Sequence, residues 1–224
     1  MYRLIFHLIF FYSVASLHLR NFEHDNYRQQ LKDALRTGAW QRGLKIAEIW
    51  IEENPSSHYA WYCMGRFRIE AALSKSQDEY FQLSCEAFEK AIRLYDKDPR
   101  YYYWKATTHL YLARMGGDSQ QYYNFMQSMQ FACDLDPMNY FYYSIFFEKV
   151  VGLFKDPLYL SKPIPRIFLI SSMVNSLNKY LDLKRFYAKK YLIQFCAILS
   201  ENEKKYYLSH VYLHPDLRKA LELY

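Results

Sequence analysis

Glycine and proline are scarce in this chain, at six and seven among 224 residues. That scarcity argues against an all-β fold, which needs such residues for its many tight turns. Catalytic motifs are missing too: there is no phosphate-cradling glycine loop, no His-Glu-x-x-His and no nucleophile elbow. The four cysteines, Cys63, Cys85, Cys133 and Cys196, stand singly in apolar stretches, at spacings that fit no metal site. Buried free thiols are the default there. In an exported chain, Cys63 and Cys85 on facing helices of one hairpin are an alternative pair.

The remaining polar candidates are equally bare. Glu52-Glu53 and Asp96 with Asp98 sit at helix ends beside prolines, where solvated turn residues belong. His109 has no Cys or Asp at ligand spacing. His210 and His214 are one turn apart, but Pro215 ends the helix that would align them. No catalytic residue, metal or cofactor is expected. Nucleic acid is not an expected partner either, since no zinc-ligand spacing or RNA-binding signature accompanies the charge.

Long apolar runs are also lacking, apart from one at the start. Met1-Tyr2-Arg3 is followed by the apolar stretch Leu4 to Ala15, and Ser13-Val14-Ala15 offers the small residues a signal peptidase wants. Twelve helical residues span about 18 Å, short of the roughly 30 Å hydrocarbon core. Residues 1–20 therefore read as a signal peptide, with an uncleaved membrane anchor as the alternative. The expected location is the periplasm or cell envelope.

Aromatic residues are abundant, at 20% with 24 Tyr and 16 Phe. Tyrosine packs its ring and leaves its hydroxyl in water, so it suits helix faces that are half exposed or meet a partner. The formal charge of +6 is uneven: residues 1–157 carry 18 Lys/Arg against 18 Asp/Glu, and residues 158–224 carry 11 against 5. A basic last third suits an anionic membrane or an acidic protein surface, or forms a solvated face.

Three prolines, Pro55, Pro99 and Pro137, each follow Asn or Asp after an apolar helical run, 44 (55 to 99) and 38 (99 to 137) residues apart. Such periods suit helical hairpins. Helices are expected over Asn26–Thr37, Trp40–Glu53, His58–Leu73, Glu79–Tyr95, Tyr101–Arg114, Ser119–Leu135 and Asn139–Phe154. In the second, Leu44, Ala47 and Ile51 make the apolar stripe. Turns fall at Ser74 to Asp78 and at Gly116-Gly117-Asp118. The clearest boundary is Lys162-Pro163-Ile164-Pro165. Beyond it Ile167, Ile170, Met173, Val174, Leu177 and Leu181 form one helical stripe, followed by helices over Leu183–Ser200, Glu201–Tyr212 and Pro215–Leu223. No strand is expected.

Residues 24–156 resemble the tetratricopeptide repeat family, whose unit is a pair of antiparallel helices. Trp61, Met64 and Gly65 match its first helix, with Arg68 where an aromatic belongs, and Phe88, Ala91 and Leu94 match its second. In the next unit Trp104, Thr108 and Tyr111 fit, then Ala132, Leu135, Asp136 and Pro137. An earlier unit keeps Gly38, Trp40, Gly43 and Pro55 but has Leu31 where a small residue belongs. The resemblance implies an all-α fold, with antiparallel hairpins stacked as a short right-handed solenoid over 21–157. Outside the resemblance, a basic helical segment over 158–224 is expected to pack on the repeats. The resemblance also implies a concave groove lined by first helices, with Tyr59, Tyr62, Arg66 and Ile69 from one unit and Tyr102, Lys105, His109 and Leu112 from the next. Rings beside Arg66 and Lys105 suit an extended peptide with an acidic group.

The function expected is a non-catalytic, exported scaffold that binds a protein or peptide. The alternative is a membrane-anchored structural protein held by its N-terminus and basic last third. A third reading is a small-ligand binder or enzyme with its site between the repeats and the C-terminal helices, to be recognised by a deep polar pocket there.

Overall fold

Proline starts helices in this chain as well as ending them. The computed structural model describes residues 24–75, 77–116, 118–155 and 166–223, with side chains for all of these except 167 and 182–189. The expected leader over 1–20, the Asp156-Pro157 stop and the Lys162-to-Pro165 boundary lie outside the described residues. Among the described residues every regular element is a helix: α1 over 24–37, α2 Trp40–Glu53, α3 His58–Lys75, α4 Glu79–Leu94, α5 Pro99–Arg114, α6 Ser119–Leu135, α7 Tyr140–Leu153, α8 Arg166–Ile198, α9 Glu201–His210 and α10 Pro215–Leu223. None is long and apolar enough to cross a membrane. Pro99, read from sequence as a stop, is the first residue of α5: its missing amide costs nothing there, and Asp98 caps the helix by accepting from the Arg100 amide at 3.0 Å. Asn139 caps α7 in the same way, through the Phe141 amide.

The chain divides into two compact units, one up to Asp96 and one from Lys97. In the first, α2 packs on α3 and α3 on α4, and small residues allow the close approach. A Cβ at Gly43 would sit 2.3 Å from the Phe67 ring, and one at Gly65 2.8 Å from Phe88. Both rings are buried. The buried face of α2 is accordingly Gly43, Ile46, Ala47 and Trp50. It lies one residue earlier than the expected Leu44, Ala47 and Ile51, because Phe67 fills the space above Gly43. Ser84 donates to the Gly65 carbonyl at 2.9 Å, tying α4 to α3 where the backbones are closest.

In the second unit α5 and α6 form a hairpin, and its core runs unbroken from Ala106 to Leu221. The C-terminal helices share that core. The α8 span covers 33 residues, but its ends meet: Arg166 donates to the Ile198 carbonyl, and the Tyr180 and Tyr191 rings lie 6.2 Å apart. A straight helix would hold Arg166 and Ile198 about 48 Å apart, so α8 doubles back between Leu181 and Lys190. Its two arms occupy the places of the helices expected over Ile167–Leu181 and Leu183–Ser200. The first arm runs antiparallel to α7, since Arg166 covers the Phe154 ring at 4.8 Å and Tyr180 stacks on Tyr143 at 5.4 Å. α9 then runs alongside the first arm, joined to it by Arg166–Glu203 at 2.7 Å and Ser171–Tyr207 at 2.9 Å. Asn178 holds the connection after α9, donating to the Tyr212 carbonyl and accepting from the His214 amide. Up-and-down alternation thus continues past residue 157.

Glu203 completes a capping box with Ser200 at the start of α9. Burial by itself raises its carboxyl, but Arg166 and Ser200 outweigh that and hold it below the usual carboxylate range. A carboxyl depressed in the folded state stabilises above its unfolded pKa, about 4.3, and loses that contribution as pH falls through the folded value. Melting curves of Glu203→Gln and the parent are expected to differ at pH 7 and to draw together as the pH is taken below about 4.3.

All four cysteines are free and buried. Burial, with Asp134 beside it, pushes the Cys133 thiol up to about 12, which removes the thiolate that reacts. Thiol titration is expected to count four groups in denaturant and to find Cys133 unreactive in the native chain at pH 8. Two or fewer in denaturant would indicate a disulfide.

Candidate functional site

On α3, Tyr59, Tyr62, Arg66 and Ile69 fall at steps of three and four residues and share a face. Packing takes most of that face. Tyr59 lies against Trp50 at 6.2 Å and Tyr62 at 5.9 Å, with the Arg28 guanidinium 5.3 Å above its ring. Tyr62 continues to Phe88. Tyr59, Tyr62 and Ile69 are buried, while Arg66 is half-buried and donates to the Tyr62 hydroxyl at 3.2 Å. Beside the α3 N-terminus a recess of about 260 Å³ is lined by polar residues including His24, Arg28, Asn54 and His58.

On α5, Tyr102, Lys105 and Leu112 are half-buried, and His109 is buried with its Nδ1 2.8 Å from Gln121 Oε1 on α6. His109 therefore joins the two helices of the hairpin. The α3 and α5 sets belong to different compact units. Around Tyr102 and the adjacent Tyr103 the second unit carries a run of exposed apolar side chains. Tyr102 meets Phe131 at 5.4 Å, and Tyr103 meets Phe141 at 5.6 Å and Tyr142 at 5.7 Å. Phe131, Leu135, Met138, Tyr140 and Phe141 are 39–66% exposed. Helix-end turns put them there: α6 stops at Leu135, and the chain re-enters α7 at Tyr140.

One opening in the second unit was not among the sequence candidates as residues, although its place was. A cleft of about 920 Å³ lies between α6 and the first arm of α8, between the third hairpin and the C-terminal helices. Three contacts join its walls. Tyr123 meets Phe168 at 4.6 Å, Ser176 donates to Gln130 at 2.9 Å, and Lys179 pairs with Asp134 at 2.6 Å. The residue numbers rise together along both helices, so α6 and this arm run parallel, as second helices of successive hairpins do. The readable signal was a stripe of uncharged amides on α6, Gln120, Asn124, Gln127 and Gln130, at helical steps. Among the described residues no cluster of His, Cys, Asp or Glu is arranged to hold a metal.

No family model matches the chain, and no curated protein matches it. Among solved structures it is similar to a MamA RS-1 ArsTM double mutant, at 17% identity over 88% of each chain with a TM-score of 0.51. It is also similar to MamA, at 13% identity over 86% of this chain and 92% of that one with a TM-score of 0.50. YrrB, described as a TPR protein with an unusual peptide-binding site, matches 77% of this chain and 84% of its own at 15% identity, with a TM-score of 0.45. The MamA likeness covers more of the chain than residues 1–157 supply, in keeping with helical hairpins that continue to the C-terminus. The fold is all-α and tetratricopeptide-like.

Proposed function

We propose that this chain is a non-catalytic, exported scaffold that holds a protein or peptide partner on the aromatic surface around α5. The observation that carries this reading is the exposed run from Phe131 to Phe141, bound ring to ring with Tyr102 and Tyr103. Contiguous exposed apolar surface of this kind is uncommon on a free monomer, and aromatic side chains are enriched where proteins meet. Lys105, half-buried on the same helix, supplies a cation for an acidic group on the partner. In the first unit half-buried Arg66, bonded to the hydroxyl of buried Tyr62, plays the corresponding part.

A photo-crosslinking residue at Phe131 or Phe141, in the native host, is expected to trap the same partner. The same residue at exposed Lys45 is expected to trap none. A Tyr102→Ala, Lys105→Ala variant that remains folded and crosslinks undiminished would refute the surface. Export rests on the sequence over 1–20, and N-terminal sequencing of the mature chain tests it: a start between Ser16 and Arg20 is expected. An intact Met1 would favour the second reading, a membrane-anchored structural protein, which the basic surplus in residues 158–224 supports.

A further inference from the structure

We propose that the cleft between α6 and the first arm of α8 holds an extended, uncharged peptide segment of the partner, gripped through its backbone by side-chain carboxamides. This rests on the partner-binding reading and adds a second contact region, on second helices rather than on the first helices where the repeat resemblance places a groove.

The stripe from Gln120 to Gln130 spans about 15 Å of α6, the length of four or five residues of extended chain. A carboxamide carries a donor and an acceptor on one planar group, so each meets the N–H and C=O that an extended peptide presents. Gln127 on α6 and Asn175 on the facing arm are exposed, and neither bonds a partner among the described residues. The other amides are held in place: Gln120 donates to Asn124 at 3.1 Å, and Gln130 accepts from Ser176 while donating to Asp134 at 3.0 Å. Two amides stand ready and their neighbours are already positioned.

Charge narrows the ligand further. The charged residues lining the cleft are Asp134 and Lys179, which pair with each other, so a charged side chain entering it would shed water without finding a partner. Buried Met126 with Tyr123 and Phe168 gives apolar wall for the side chains of the segment. A small molecule suits the cleft less well, because ligand pockets enclose most of what they bind, and here Gln127 and Asn175 stand in solvent.

The test is to pan a random dodecapeptide phage library on the full chain, remake the enriched peptides with a fluorescein label, and measure binding by anisotropy. Peptides free of Asp, Glu, Lys and Arg over the contacting stretch are expected to emerge. Their affinity is expected to fall about tenfold or more in the Gln127→Ala, Asn175→Ala double variant, the loss of two hydrogen bonds, and to be unchanged in a variant of exposed Lys45, Lys45→Ala. The isosteric pair Gln127→Glu, Asn175→Asp is expected to weaken binding as well, and circular dichroism checks that both double variants remain folded. No enriched peptide, peptides indifferent to both double variants, or a requirement for charge would each overturn the proposal. Cleft binding without crosslinks from Phe131 and Phe141 would sink only the aromatic surface, and crosslinks without cleft binding only the cleft.

Discussion

Phe147→Ala is expected to lower the stability of the second unit by about 3–5 kcal/mol, the usual cost of emptying a buried phenylalanine site. Phe147 is fully buried on α7, with its ring 5.8 Å from Tyr180 and 5.2 Å from Tyr191. Those tyrosines lie on different arms of α8, so one side chain touches both limbs of the fold-back. Truncation leaves a cavity that Tyr143 and Phe146, themselves buried, cannot collapse into without leaving their own contacts. Urea unfolding followed by far-ultraviolet circular dichroism measures the effect, and Phe147→Leu, which keeps most of the volume, is expected to cost well under half as much. A loss below about 1 kcal/mol for the alanine variant, within the range of surface substitutions, would mean that α7 does not pack between the arms.

In the first unit the largest effect is expected from adding a single methyl group. Gly43→Ala gains about 1 kcal/mol of helix propensity, but its Cβ falls 2.3 Å from the Phe67 ring. That ring is 1% exposed, so it cannot swing into solvent, and overpacking of this kind costs about 1–3 kcal/mol. The net change is destabilising. The two contributions separate in a double-mutant cycle: in a Phe67→Leu background, Gly43→Ala is expected to be neutral or stabilising. The coupling expected between the two positions is about 1 kcal/mol or more. Independent, additive effects would show that the helices do not meet at Gly43.

The pair Gly43 and Phe67 also shows why the hairpins were legible in the sequence. Small residues recur where two helix backbones must approach, and large ones recur opposite, so Gly43, Gly65 and Phe88 stood out as matches to the repeat pattern that the chain resembles. Pro55, Pro99 and Pro137 placed the hairpin ends to within a few residues. Pro99 was readable as a stop from its chemistry, but its second role needed the Asp98 cap to be seen. Past residue 157 the signal weakens for a physical reason. The α7 and α8 hairpin is packed by large rings, Tyr143, Phe147, Tyr180 and Tyr191, without glycine contacts like those of Gly43 and Gly65 in the first unit. Site residues were harder still. Position on a helix face is visible in a sequence, but whether that face is covered depends on a neighbour: Tyr59, Tyr62, Ile69 and His109 are buried by residues distant in the chain. The residues that line the cleft escaped notice for the opposite reason. A stripe of glutamines and asparagines looks like any solvated helix face until a second helix stands parallel to it.

The doubled-back α8 has a consequence for how the chain is made. The face of α7 that carries Phe146, Phe147, Val150 and Val151 is covered by an element whose returning arm ends at Ile198, 45 residues beyond Leu153 (153 to 198). At ribosomal rates of about 5–20 residues per second, that face waits roughly 2–9 s for its cover. Throughout that interval newly made α7 leaves an aromatic strip uncovered, and the nascent second unit is expected to attract holding chaperones.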